Sequence, residues 1–181
     1  MLRFKYLMLA LLLGIGSGFA QTFSLKSNDL GGQFTKKEEF GGFGCTGQNV
    51  SPQLAWANAP VGTKSFAVTV HDPVAPTGSG FWHWVVFDIP ANVMEIKTGA
   101  GDVSKMLMPV GIIQSLTDFG QTGFGGPCPP VGHGLHQYIF TVHALKTDKL
   151  GLDAKTNPAL VGYYLWLNTL AKASIVTYYS R

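Results

Sequence analysis

The sequence predicts a mainly β fold, and three observations lead to this prediction. Glycine and proline contribute 23 and 10 of the 181 residues and break the chain into short apolar segments, a pattern typical of β-rich domains. Three of these segments have the length and composition of strands. Only one segment has the pattern of a helix, and no repeat or low-complexity linker divides the chain.

The three strands are predicted over residues 65–71, 81–89 and 137–145. The first and third are rich in β-branched and aromatic residues, which suit a pleated surface. The second is apolar almost throughout, so we expect it to be covered on both faces of its sheet. Two long loops, residues 99–115 and 117–126, separate the second strand from the third, and loops of this length in compact domains are usually functional.

A single helix is predicted near the C-terminus, over residues 159–172. Asn157 can cap its first turn, and Pro158 fits the first helical position because its missing N–H has no partner there. The segment is apolar on nearly every side, so we expect the helix to be well buried. A last strand is predicted over residues 173–179.

Residues 1–20 have the features of a secretory signal peptide. Two basic residues precede an apolar core at residues 6–15, and Ala20 ends a small-x-small cleavage site. The sequence therefore predicts export to the periplasm or the medium, with residues 21–181 forming a single domain. A retained membrane anchor is the alternative, although the apolar core is short for a bilayer span.

The charge of the mature chain argues against a nucleic-acid partner. Removing Arg3 and Lys5 from the 13 basic residues leaves 11 against 10 acidic residues, a net charge of +1. Arg181 is then the only arginine and the lysines are scattered, whereas nucleic-acid binders need clustered cations to neutralise phosphates. The charged run at residues 36–39, Lys-Lys-Glu-Glu, is interpreted as a solvated surface.

Cys45 and Cys128 are the only cysteines of the chain. An exported protein meets an oxidising compartment, which favours a disulfide between them. That bond would fasten the segment from residue 45 to the proline-rich segment around Cys128. Two free thiols, with Cys128 reactive, are the alternative.

Two distant stretches share an unusual chemistry, in which a proline-rich loop adjoins a β run that holds a histidine. The first is Asp72-Pro-Val-Ala-Pro76 with Phe81-Trp-His83-Trp, and the second is Gly-Gly-Pro-Cys-Pro-Pro at 125–130 with Gly134-Leu-His136-Gln-Tyr138. If the runs pair in one sheet, four polar side chains converge beneath the two loops: Asp72, His83, His136 and Tyr138. Satisfied core residues are the alternative explanation for these groups.

Strand alternation predicts which of these side chains share a face. His136 and Tyr138 point the same way. In the second strand Phe81, His83 and Val85 are predicted on one face, with the two tryptophans at 82 and 84 on the other. We therefore expect a pocket with an apolar floor and polar groups at its rim.

These motifs resemble the phosphatidylethanolamine-binding proteins, also called Raf-kinase-inhibitor-like proteins, and their bacterial branch in particular. An upstream block, Cys45-x-Gly-x-Asn-x-Ser-Pro-x-Leu-x-Trp56, fits as well, and the resemblance extends from about Phe23 to the C-terminus. It implies a β-sandwich with a large antiparallel sheet, one buried helix towards the C-terminus and long loops that form the pocket.

The resemblance also implies which residues bind a ligand. Asp72, His83, His136 and Tyr138 match the anion site of the family, and Gly126 and Pro130 match its wall. The imidazoles and the tyrosine hydroxyl can donate hydrogen bonds to phosphate oxygens. Backbone N–H groups of the glycine-rich loop are expected to add an anion-binding concavity, and His133 in that loop is a further candidate contact.

Asp72 would repel a phosphate, so it is expected to orient a histidine or to receive the amine of an ethanolamine-type head group. Two positions depart from the family pattern. Val74 stands where the motif usually has a second aspartate, and Gln137 stands where an arginine usually follows the histidine. Their joint replacement leaves no orphan charge, but it puts the ligand preference in doubt.

The resemblance implies a non-catalytic binding protein without a cofactor, whose ligand is a small anion such as phosphate or a phosphoethanolamine head group. The family is also known for inhibiting kinases and a serine carboxypeptidase. The alternative is therefore a protein-interaction module that inhibits a hydrolase or a host signalling protein.

An enzyme is a third and weaker interpretation, with two histidines and a carboxylate as metal ligands or Cys128 as a nucleophile. We predict neither a metal site nor a catalytic residue. The sequence leaves the oligomeric state open, a homodimer included.

Overall fold

The computed structural model describes residues 21–181, and the signal peptide predicted over residues 1–20 lies outside this part. A five-stranded antiparallel sheet dominates it. Across this sheet the strands are β6 (Ile113–Gln114), β4 (Phe81–Pro90), β3 (Ser65–Asp72), β7 (His136–Leu145) and β8 (Thr169–Tyr179). A three-stranded antiparallel sheet is formed by β1 (Ser24–Lys26), β2 (Leu54–Ala57) and β5 (Glu95–Ile96). The mainly β prediction is confirmed.

The main core lies between the two sheets. Trp56 of the small sheet packs in one buried cluster with Val68, Trp84 and Phe140 of the large sheet. A second cluster lies on the other side of the large sheet, beneath the helix. Strand β4 contributes to both clusters and is buried over most of its length, as its continuous apolar sequence predicts.

The helix α1 (Pro158–Asn168) begins as predicted. The Asn157 side chain accepts a hydrogen bond from the Leu160 N–H at 2.9 Å, and Pro158 occupies the first turn. Its C-terminal end was predicted four residues too late. Thr169 already has an extended backbone, because the chain joins the large sheet there as β8 and pairs with β7 along its whole length.

The prediction of a well-buried helix is wrong. Only Pro158, Val161 and Leu165 are buried, while the Trp166 side chain is 74% exposed and Tyr163 is 54% exposed. The helix lies on the outer face of the large sheet, so one side of it packs and the other meets solvent. An apolar composition on every side therefore does not imply burial on every side.

A β-bulge in β4 changes which side chains face the core. His71 pairs with Trp82 whereas Val70 pairs with Trp84, so β4 holds one extra residue, His83, opposite β3. The predicted alternation is therefore wrong after this point. Trp84 faces the inter-sheet core on the pocket side, and Val85 packs beneath the helix with Trp82.

The charged run at residues 36–39 is also not a solvated surface, because both glutamates are buried. Glu38 accepts hydrogen bonds from the N–H and hydroxyl of Thr35. Glu39 accepts from the Lys36 ammonium at 2.7 Å and from the Tyr179 hydroxyl. Burial acts to raise the pKa of Glu39, but these hydrogen bonds outweigh it and lower the pKa below its ordinary value.

Candidate functional site

Asp72 and His136 form a buried pair where the end of β3 meets the start of β7. The Nδ1 atom of His136 lies 2.6 Å from Oδ2 of Asp72, and neither residue exceeds 2% exposure. The other carboxylate oxygen accepts the backbone N–H groups of Val74 and Ala75 at 2.8 and 3.1 Å. These contacts use both oxygens of Asp72. The carboxylate therefore orients the His136 ring and holds the turn at residues 72–75, and it has little capacity left for the amine of a ligand.

His83 is fixed by the bulge that contains it. Its Nδ1 donates to the Gly125 carbonyl at 2.8 Å, and the Gly125 N–H donates back to the His83 carbonyl at 2.9 Å. Burial lowers the pKa of His83 to about 4, although the Gly125 hydrogen bond and the Asp72 charge act to raise it. The ring is therefore neutral at neutral pH, and its free Nε2 is a hydrogen-bond acceptor.

This result corrects the expectation that both imidazoles donate to an anion. Once Nδ1–H is committed to a carbonyl, a neutral His83 ring has only a lone pair to offer. Tyr138 supplies a hydrogen-bond donor instead. Burial and the nearby Asp72 charge raise the pKa of the Tyr138 hydroxyl, so it remains a donor at neutral pH.

The structure brings Asp72, His83, His136 and Tyr138 together around one cavity of about 140 Å³. All four are at most 4% exposed. The predicted polarity is thus inverted, because the polar groups form the floor and apolar side chains form the mouth.

An aromatic wall stands at the mouth, and two of its members, Phe43 and Phe119, lie outside the motifs that predicted the cavity. Phe43 stacks on Phe119 with ring centroids 5.7 Å apart, and Phe119 meets Phe81 edge to face at 4.8 Å. Phe43 is 71% exposed and has a backbone φ of 54°, an uncommon left-handed conformation for a bulky residue. The signal was its position between two glycines, two residues before Cys45.

The disulfide between Cys45 and Cys128 is present in the structure. Cys128 lines the cavity together with Pro129 and Pro130. The bond therefore ties the aromatic segment around Phe43 to the proline-rich wall, as predicted from the sequence.

At Gly125, Gly126 and Gly132 the N–H groups that were expected to form a backbone anion site bond to the protein instead. The Gly126 N–H donates to the Asn49 side chain at 2.7 Å, and the Gly132 N–H donates to the Arg181 carbonyl at 3.0 Å. Gly126 does not line the cavity. A Cβ there would lie 1.8 Å from the Glu38 carbonyl, so glycine is required for close packing of two loops.

The remaining histidines differ in their positions. His71 bonds to the Ser79 carbonyl and stacks on Trp82, away from the cavity. His143 is buried on the opposite face of the sheet, between two threonine hydroxyls. His133 contacts His136 directly, with its Nδ1 atom 2.8 Å from Nε2 of His136.

The departures from the family pattern lie outside the cavity. Val74 is 38% exposed and Gln137 is half-buried, and neither lines the cavity. Within residues 21–181, no three His, Cys, Asp or Glu side chains are grouped so that they could hold a metal ion. The same part of the chain has no helix long and apolar enough to span a membrane.

Comparisons with known proteins agree with this architecture. A profile of the phosphatidylethanolamine-binding protein family matches residues 30–180. The chain belongs to the phosphatidylethanolamine-binding protein family. The UPF0098 protein YbcL of Escherichia coli is 50% identical over 165 residues, which are 90% of this chain and 90% of that protein. The UPF0098 protein YbhB of the same organism is 47% identical over 158 residues, 86% of this chain and 99% of that protein.

Solved structures of the family share the fold. The crystal structure of Escherichia coli YbcL matches with a TM-score of 0.86 and covers 88% of this chain and 98% of that one. A homologue from Chlamydia trachomatis matches with a TM-score of 0.72 at 24% identity, over 88% of this chain and 97% of that one. The resemblance inferred from the motifs is therefore confirmed as family membership, while the ligand-binding roles of the individual residues stay predictions.

Proposed function

We propose that this family member is an exported, non-catalytic binding protein for small anions that carry a phosphate group. The observation that carries the proposal is the composition of the cavity floor. Two imidazoles and a phenol face one small space, and the only carboxylate among them is already bonded within the fold. Because both oxygens of Asp72 are used, this floor offers no free carboxylate to a cation, whereas the Tyr138 hydroxyl can donate to an oxygen of an anion.

The polarity of the floor favours an anion that also carries a hydrogen. Tyr138 donates to a ligand oxygen, whereas the Nε2 atom of a neutral His83 accepts from a ligand hydroxyl. Inorganic phosphate keeps a hydroxyl at neutral pH, and phosphate monoesters keep one below their second pKa of about 6. The aromatic wall of Phe43 and Phe119 would then contact the less polar part of the molecule, which excludes water from the anion.

Calorimetric titration of residues 21–181 with phosphate, phosphoethanolamine and phosphoserine tests the proposal. We expect saturable binding by the wild type and its loss in His83→Ala. His143→Ala is the matched control, because His143 is also a buried histidine with a lowered pKa but lies on the other face of the sheet. Equal loss in both variants would point to damaged folding rather than to a ligand contact, and no wild-type binding would refute the proposal.

Export rests on the sequence of residues 1–20. Mass measurement of the protein recovered from the periplasm tests it, with a mature N-terminus at Gln21 as the expected result. An uncleaved chain that remains with the membrane would support the alternative of a retained anchor.

The alternative function, inhibition of a hydrolase or a host signalling protein by direct contact, stays a prediction. If a protein partner is found, an excess of phosphate or phosphoethanolamine separates the two functions. Loss of the contact would place the partner at the cavity mouth, whereas an unaffected contact would assign the partner to another surface.

A further inference from the structure

Three side chains form a continuous hydrogen-bonded chain from solvent to the buried carboxylate. His133 is exposed and its Nδ1 lies 2.8 Å from Nε2 of His136, while Nδ1 of His136 lies 2.6 Å from Asp72. His133 does not line the cavity. It covers from outside the one nitrogen of His136 that Asp72 leaves available.

The positions of the ring hydrogens determine the effect of the contact between His133 and His136. A carboxylate only accepts, so the Nδ1 atom of His136 carries a hydrogen towards Asp72. That hydrogen leaves a lone pair at Nε2 of His136, so Nδ1 of His133 carries the hydrogen between the two rings and donates it to Nε2. The Nε2 atom of His136 is thus already paired, and it cannot bond to a ligand while the contact persists.

We propose that His133 is a resident partner of His136 which an incoming anion must displace, an inference that rests on the proposed function. The anion in the cavity takes over the bond to Nε2 when the His133 ring leaves, and a hydroxyl of the anion then donates to the Nε2 lone pair. His133 therefore competes with the ligand for His136 and sets the affinity of the site from outside the cavity.

The local backbone permits such a displacement. The His133 N–H donates to the Pro130 carbonyl at 3.1 Å, and Gly132 has a φ of 75°, as in a type II turn with glycine at its third position. Gly134 follows with a φ of 94°, and no atom lies within 4 Å of a Cβ built at either glycine. The His133 side chain can therefore leave His136 without disturbing the packed part of the fold.

The test compares dissociation constants of inorganic phosphate and phosphoethanolamine for four proteins. His133→Ala removes the resident partner, and we expect its affinity to rise by about twofold to tenfold, the equivalent of one ordinary hydrogen bond. His133→Asn keeps an N–H near the position of Nδ1 and should bind like the wild type. Val131→Ala changes an exposed side chain of the same turn and should also bind like the wild type.

Nitrogen chemical shifts of the His136 ring give a second readout that needs no ligand. In the ligand-free protein, His133→Ala should move the Nε2 signal and leave Nδ1 in its hydrogen bond to Asp72. Phosphate added to the wild type should move the same Nε2 signal.

Two results would overturn the inference while the proposed function stands. One is a His133→Ala variant that binds the anions no more tightly than the wild type does. The other is a His136 Nε2 signal that this substitution does not move. A weakened affinity would make His133 a ligand contact instead of a competitor. If no protein of the set binds either anion, the proposed function itself fails and the displacement fails with it.

Discussion

A neutral His83 should make the cavity prefer phosphate to sulfate at neutral pH. Sulfate resembles phosphate in shape but carries no hydrogen, so every oxygen that it turns to the Nε2 atom of His83 brings a lone pair against a lone pair. Phosphate can present a hydroxyl there. His83 cannot respond by rotating, because its Nδ1 is held by Gly125 at 2.8 Å.

The size of this preference follows from the cost of an unpaired buried acceptor. His83 is 4% exposed, and leaving such a group without a partner costs about 1–3 kcal/mol. The corresponding ratio of dissociation constants is about 5 to 150 in favour of phosphate. As the pH falls towards the pKa of His83, about 4, the protonated ring can donate to either anion, so the preference should narrow.

Calorimetric titration with both anions measures the ratio directly. His83→Gln should reduce the preference, because a carboxamide can turn its N–H groups to sulfate. His143→Gln makes the same change on the opposite face of the sheet and should leave the ratio unchanged. Sulfate binding as tight as phosphate binding at neutral pH would refute the assignment of His83 as a neutral acceptor.

The remaining predictions concern stability, each measured as the free energy of unfolding in urea. His136→Ala should cost about 1–3 kcal/mol because it leaves the buried carboxylate without its imidazole; an unchanged value would show that this pair does not stabilise the fold. Burial, assisted by a nearby lysine, lowers the pKa of His143 to about 3. The unfolded chain then binds a proton at a higher pH than the folded chain does, so the free energy of unfolding should fall as the pH drops from about 6.5 towards 3. The fall should be less steep in His143→Gln, and equal slopes for the two proteins would contradict this. Gly126→Ala should cost about 1–3 kcal/mol through overpacking, since its Cβ would meet a backbone carbonyl at 1.8 Å; a neutral effect would mean that the loops separate freely. Reducing the bond between Cys45 and Cys128, which are 83 residues apart, should cost on the order of 4 kcal/mol, and an equal stability of the reduced protein would exclude that contribution.

Local sequence patterns predicted the long central strands and the start of the helix. Residues 65–71 and 137–145 lie in β3 and β7, and Asn157 with Pro158 starts the helix. These features depend on the conformational preferences of neighbouring residues, which a sequence displays directly. Motif similarity added the family and the four polar side chains of the floor.

Simple periodicity failed where a distant part of the chain altered the local pattern. At the bulge, the loop at Gly125 bonds to both the ring and the carbonyl of His83. Glu39 is buried, and the hydroxyl of Tyr179, far along the chain, donates to it. Neither partner is visible from the residues nearby.

The sequence by itself determined the long strands of the large sheet, the helix start, the disulfide pair and the set of polar residues that meet in the cavity. Only the tertiary structure decided the hydrogen-bonding roles of these groups and the burial of the helix. His83 is an acceptor, both oxygens of Asp72 are bonded within the fold, and one face of the helix is exposed. The reason is that a side chain's charge and hydrogen-bonding role depend on burial and on its partners. In this protein the deciding partners come from loops that are remote in sequence, and only folding brings them together.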